Sequence, residues 1–290
     1  MAPLAWLRRV SETFSRPYTP TLGISHSSMN RIQNWATDTD IIPPPQFEID
    51  AARVAWQQNS VSAHAIFAPL HYEPNYAYPL LIWLHGPGDN ERQLMRVMPL
   101  VSMRNYVAVA PRATTPEDPS EKYPKTFRWS ENEGNMGQAE QQIFDCINAA
   151  QRKYHIAKQR IFIAGCQEGG TLALRLGMRF PNQFAGAACI GGSFPTGNHP
   201  LNQLGEVRQL PLLIAHGRDS RKYPLDRICS DIRLFHTAGL KVTVRQYPCG
   251  DDVTTTMLSD LNVWLMELVT GNAHQQTDCT PGTYRMGELN

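Results

Sequence analysis

The stretch Arg160–Gly170, RIFIAGCQEGG, decides how this chain is read. A short apolar run breaks off at a glycine-rich turn, which predicts a buried strand, a tight turn and then a helix. Similar apolar runs recur on either side of it: VSAHAIFAPL, PLLIWLHG, YVAVAP, FAGAACIGG, LPLLIAHG and KVTVRQYP, each bounded by Gly or Pro. Helical spacing separates the later ones. Met136, Ile143, Ile147, Ala150 and Tyr154 fall on one face, as do Leu225, Ile228, Ile232 and Phe235 ahead of a C-cap glycine, Gly239. Leu258, Leu261, Leu265 and Leu268 with Trp264 mark a final helix. Strands apolar on both faces that alternate with helices predict an α/β fold: a mostly parallel central sheet flanked by helices on both faces, without a large lid domain. In such sheets the site lies beyond the carboxyl ends of the strands.

Composition bounds the chain further. Of 290 residues, 42% are hydrophobic and 18% charged, which fits a globular domain and argues against disorder over most of the length. A net charge of +1 gives no reason to expect nucleic acid or an anionic membrane as partner. The six cysteines form no C-x-x-C pair and no zinc-like spacing, so reduced, mostly buried thiols and a cytoplasmic setting are expected. The N-terminal apolar run is too short for a signal sequence and nothing approaches ~20 apolar residues, so no membrane span is expected. Residues 1–54 read as a proline-containing extension with one short helix around Leu4 to Phe14. Residues 55–270 read as the folded domain and 271–290 as a polar tail. Arg8, Arg9 and Arg16 with Trp6 read as a solvated arm, with a weak surface-binding helix as the alternative.

Four stretches, LHGPGD (84–89), GCQEGG (165–170), HGRDSRKYP (216–224) and YPCGDDV (247–253), resemble in order and spacing the phospholipase/carboxylesterase, acyl-protein thioesterase-like branch of the α/β-hydrolases. The resemblance runs from about residue 60 to 270. It implies an α/β-hydrolase fold and a serine hydrolase of carboxylic esters or thioesters. In that family a serine in a G-x-S-x-G turn attacks, a histidine serves as base and then acid, an aspartate orients it, and two backbone N–H groups hold the oxyanion.

Carried over position by position, the resemblance puts Gln167 at the nucleophile, Ser220 at the acid, Asp251 at the base, and Pro87 and Glu168 at the oxyanion hole. A primary amide is no nucleophile, Asp251 is a poor base for a hydroxyl at neutral pH, and Pro87 has no N–H to donate. Cys166, one place before Gln167, is expected to face the core as a small hydrophobe. Asp219 sits one residue from the acid position and reads as a turn residue paired with Arg218 or Arg221. Asp251 and Asp252 read as the N-cap and first-turn acid of the next helix. The expected protein is therefore a pseudo-enzyme, with residual or water-based hydrolysis through Asp251 or Glu168 as the alternative. Gln167, Glu168, Trp129, Asp219 and Asp251 are the candidate binding residues. Either they line an open pocket for an unknown small ligand or a protein partner, or the Gln167 amide closes the site by bonding to Ser220 or Asp251. Trp129 either lines the cleft or packs beneath its rim. No cofactor is expected, and a metal held by Asp219, Asp251, Asp252 and Glu168 is the minor alternative.

Overall fold

A computed structural model describes residues 63–271, apart from 123, 131–132, 196 and 198–202. The extension with its short helix and arginines, and the polar tail beyond 271, lie outside the described residues. In chain order the elements are β1 (His64–Phe67), β2 (Tyr78–Leu84), α1 (Gln93–Val101), β3 (Val107–Pro111), β4 (Thr115–Pro116), β5 (Phe127–Arg128), α2 (Glu133–Lys153), β6 (Ile156–Cys166), α3 (Glu168–Arg179), β7 (Gly186–Ile190), α4 (Leu204–Val207), β8 (Leu212–Gly217), α5 (Leu225–Ala238), β9 (Val242–Tyr247) and α6 (Thr255–Thr270). Every one of the seven apolar runs is a strand of one sheet, in the order β1-β3-β2-β6-β7-β8-β9. Only β1 is antiparallel to its neighbour, and β4 with β5 makes a separate two-stranded ribbon.

The order explains where a site must be. After β2 the chain turns outward to β3, then returns across β2 to lay β6 on its other side. The loops leaving the carboxyl ends of β2 and β6 therefore diverge and leave a crevice between them. Into that crevice project the residues after Leu84 and the turn after Cys166.

Strand periodicity divides the packing into two layers. Leu80, Ile82 and Leu84 of β2 point to the side covered by α2, α3 and α5. Leu81 and Trp83 point to the side covered by α1 and α6. Each fully buried aliphatic side chain contributes about 1.5–3 kcal/mol, so two filled layers hold a sheet that neither could hold alone.

One helical face differs from its sequence reading. In α5, Ile228 and Phe235 are buried as expected, but Leu225 and Ile232 are exposed. The buried partner on that face is Asp231, whose Oδ2 accepts the Tyr223 phenol at 2.5 Å. A satisfied charge–phenol contact rotates the helix away from the purely apolar register. The C-cap is as expected: Gly239 has φ 68° and its N–H meets the His236 carbonyl.

The first turn of α3 lies directly on the backbone of β2. A Cβ at Gly169 would stand 2.4 Å from the carbonyl oxygens of both Leu84 and His85. Gly169→Ala should therefore lower stability by about 3 kcal/mol, since backbone cannot step aside. Gly137→Ala, at an exposed position of α2 with nothing within 4 Å, should raise it by about 1 kcal/mol. Urea unfolding of the two variants beside wild type measures both.

Candidate functional site

Gln167 stands at the junction of β6 and α3 with φ 51° and ψ −119°, a backbone conformation that costs a non-glycine residue about 1–3 kcal/mol. The surroundings impose it. The Gln167 N–H donates to the Ile190 carbonyl at 2.8 Å, and its own carbonyl accepts from Thr171 N–H at 3.0 Å. Gly165 and Gly169 supply the close approach on either side. The result is a sharp elbow that lifts one side chain out of the sheet. Cys166, one place earlier, points the other way: it is 4% exposed within the α1/α6 layer, and its thiol donates to Gln93 Oε1 at 3.3 Å. Burial pushes that thiol up to about 12, so the thiolate needed for attack does not form at neutral pH.

The Gln167 side chain is held at both ends. Its Nε2 donates to the Asp251 backbone carbonyl at 3.1 Å, and its Oε1 accepts from Lys222 Nζ at 3.1 Å. Behind it, Ser220 Oγ donates to Asp251 Oδ1 at 2.5 Å and accepts from Tyr223 N–H at 3.0 Å. Asp251 Oδ1 also accepts from Lys222 N–H at 3.1 Å. Gln167, Ser220 and Asp251 thus meet in space, although they come from the ends of β6, β8 and β9. The hydrogen bond from Ser220 is the main reason the Asp251 carboxyl is held below its ordinary 3.8, which leaves it ionised and a weak base.

Two sequence readings are corrected here. Asp251 does not cap α6. Thr254 does, accepting from Met257 N–H at 3.3 Å, and Asp251 stays back because Ser220 and Lys222 engage its carboxylate. The Gln167 amide also reaches the Asp251 carbonyl and not the carboxylate, and it leaves open space alongside. Asp219 is exposed and pairs with Arg218 at 3.2 Å, away from this group.

The loop after β2 runs beside the elbow. Pro87 follows Gly86, whose added Cβ would lie 3.2 Å from Cys166 Sγ and 3.9 Å from Gln167 Oε1. His85 fixes this loop from within. Its Nε2 accepts from Ala113 N–H at 3.1 Å, so its Nδ1 carries the proton donated to Gly86 O at 2.7 Å. Trp129 Nε1–H donates to the His85 carbonyl at 2.9 Å. Trp129 is both buried at the rim and part of the cavity wall, so its two readings coincide.

That cavity measures about 530 Å³ and opens beside Gln167. Glu168, Thr171, Leu172 and Arg175 line it from one face of α3, with Arg128, Trp129 and Met136 opposite and Lys222 at the edge. Glu168 Oε1 accepts from Arg128 Nη2 at 2.9 Å, which ties its carboxylate. Arg128, Arg175 and Lys222 were not singled out as site residues in the sequence reading, although Lys222 lies within the stretch 216–224. The spacing 168, 171, 172, 175 is one helical face, and a lone arginine within TLALRLGM was the signal. Among the described residues no three His, Cys, Asp or Glu side chains gather as a metal site.

Comparison with known proteins places this geometry. Residues 74–268 match the phospholipase/carboxylesterase family. The chain belongs to that family. It is similar to the probable carboxylesterase SOBER1-like of Arabidopsis thaliana, with 24% identity over 220 residues, 68% of this chain and 82% of that protein. It is similar to carboxylesterase SOBER1 of the same plant at 24% over 117 residues, 40% of this chain and about half, 51%, of that protein. Among solved structures, the carboxylesterase from Mesorhizobium loti is similar with a TM-score of 0.58 at 20% identity, over 73% of this chain and 98% of that one. That likeness concerns the fold, which is an α/β-hydrolase fold. No helix among the described residues is long and apolar enough to cross a membrane.

The family scaffold carries its own pH dependence. Burial lowers His85 and His216 below their ordinary 6.5. Unfolding then takes up protons below that value, so the stability these neutral rings provide is full above about pH 6.5 and is lost as the pH falls. Asp251 adds a loss only at lower pH, below its ordinary 3.8. Urea unfolding should be flat above pH 7 and weaken toward pH 5 by up to about 1.4 kcal/mol per pH unit for each ring. His85→Gln should flatten part of that slope.

Proposed function

We propose that this member of the carboxylesterase family does not hydrolyse esters and uses its cleft to bind a ligand. The observation that carries the reading is the hydrogen-bonded set Gln167, Asp251, Ser220 and Lys222 at the elbow and the strand ends facing it. Ester cleavage in this fold needs a nucleophile at the elbow, a base within reach and donors for the oxyanion. An amide, an ionised carboxylate already bound by a hydroxyl and, for one of the two oxyanion donors, a proline stand at those positions, with the Glu168 N–H as the donor that remains. Gln167 does not titrate, and the hydrogen bond from Ser220 holds the Asp251 carboxyl below its ordinary 3.8, which makes it a weak base toward a substrate or a water. Glu168, the other carboxylate at the site, is held by Arg128 through Oε1, and its buried Oε2 makes no hydrogen bond among the described residues. The open cavity beside this set supports a binding or regulatory role.

Hydrolysis of short-chain p-nitrophenyl esters tests the reading. Wild-type protein should give no turnover above buffer. A variant carrying Gln167→Ser, Ser220→Asp, Asp251→His and Pro87→Leu should exceed wild type by at least about 100-fold, the scale of a restored donor and base. Steady wild-type turnover abolished by Asp251→Asn or Glu168→Gln, and untouched by a serine-directed fluorophosphonate, would overturn the reading in favour of a water-based hydrolase.

A further inference from the structure

The cavity wall is electrically lopsided. Among the described residues, three cations, Arg128, Arg175 and Lys222, line it against one carboxylate, Glu168. Glu168 is matched by Arg128 at 2.9 Å, and the neighbouring Asp251 carboxylate, outside the lining, is turned to Ser220 Oγ and Lys222 N–H. Asp219 is paired with Arg218 and exposed. Arg175 differs from the other two cations because it is only 6% exposed, held in the second turn of α3 between Leu174 and Leu176. A guanidinium withdrawn from water against a cavity gives strong, directional attraction to an anion, because little solvent competes. Thr171 and Ser193 add polar lining, and Trp129, Met136 and Leu172 add apolar wall within the same space. Charge and apolar surface together define an amphiphilic anion, and 530 Å³ is the size of a small-molecule site.

We propose that the cavity beside Gln167 binds a small organic anion, a carboxylate or phosphate on an apolar body, with its charge met by Arg175, Arg128 and Lys222. This deepens the binding reading above and rests on it. The Lys222–Gln167 contact then has a purpose: it parks the exposed lysine at the rim, from which its ammonium swings to the anion.

Calorimetric titration of the full chain with 2-naphthoate, 2-naphthyl phosphate and uncharged 2-naphthamide tests this. One anion at least should bind about tenfold more tightly than the amide, the ratio of a charge-assisted to a neutral hydrogen bond. That preference should shrink as salt is raised. Tighter naphthoate identifies a carboxylate ligand, and tighter naphthyl phosphate a phosphate-bearing one. Lys222→Met and Arg128→Gln, both at exposed positions, should each weaken anion binding about threefold or more while leaving the amide unchanged. Arg175→Met should weaken it further, and if that buried change prevents folding the other two variants carry the test. Equal affinity for amide and anions, anion binding unmoved by both surface variants, or no binding by either anion would each overturn the inference. Ester turnover on the same preparation separates the two ideas: an anion-selective cavity in a protein that hydrolyses esters keeps this proposal and removes the non-catalytic one.

Discussion

The contact on which the rest depends is between the first turn of α3 and the carbonyl oxygens of Leu84 and His85 on β2. The helix reaches that backbone only because position 169 lacks a side chain, and Gly165 makes the matching allowance on β6. Bringing the helix so close leaves the connecting residue one route, through positive φ, and Gln167 takes it. The strain is thus a property of how a helix is seated on a sheet. It persists whether the residue at the bend is a reactive hydroxyl or an amide, because the pressures that bend the chain lie in glycines and backbone on either side.

What the bend displays has a different physical character from what the fold permits. A proton-transfer site needs groups whose preferred protonation states differ little, so that a proton can move between them. Here the groups sit far apart in proton affinity: an amide that does not titrate, a hydroxyl that donates, and a carboxylate that the donated hydrogen bond holds ionised. Each has found its best static partner, with the Asp251 backbone and carboxylate serving two different neighbours. The contribution of the set is to tie the loops after β8 and β9 to the elbow.

Much of this was legible in the sequence, since buried parallel strands are written as short apolar runs and α2 and α6 as faces at helical spacing. The elbow and its neighbours were placed by four short stretches in order. What escaped was decided by single polar contacts with no periodic signature. Asp231 entered the buried face of α5 because Tyr223 could satisfy it, and no apolar pattern encodes that. Thr254 displaced Asp251 as the cap of α6 because Asp251 had a shorter bond available to Ser220. The β4–β5 ribbon is too short to give a pattern above background, whereas α1 carries one, Leu94, Val97, Met98 and Val101, that Pro99 within it obscured. Arg175 was visible as a charge among apolar neighbours, yet its meaning depends on a cavity formed by loops distant in the chain.

The sheet divides the interior so that Trp129, Met136 and Leu172, the apolar wall of the cavity, all belong to the layer of α2, α3 and α5, while α1 and α6 close the other layer. Among the described residues the buried apolar side chains form two separate clusters, one on each face of the sheet. A substitution under α1 or α6 meets its first neighbours within that layer, and reaches the cavity by way of Cys166, one residue before Gln167. The shape of the pocket and the upkeep of the scaffold are in that sense inscribed on opposite sides of the same seven strands and joined at the elbow.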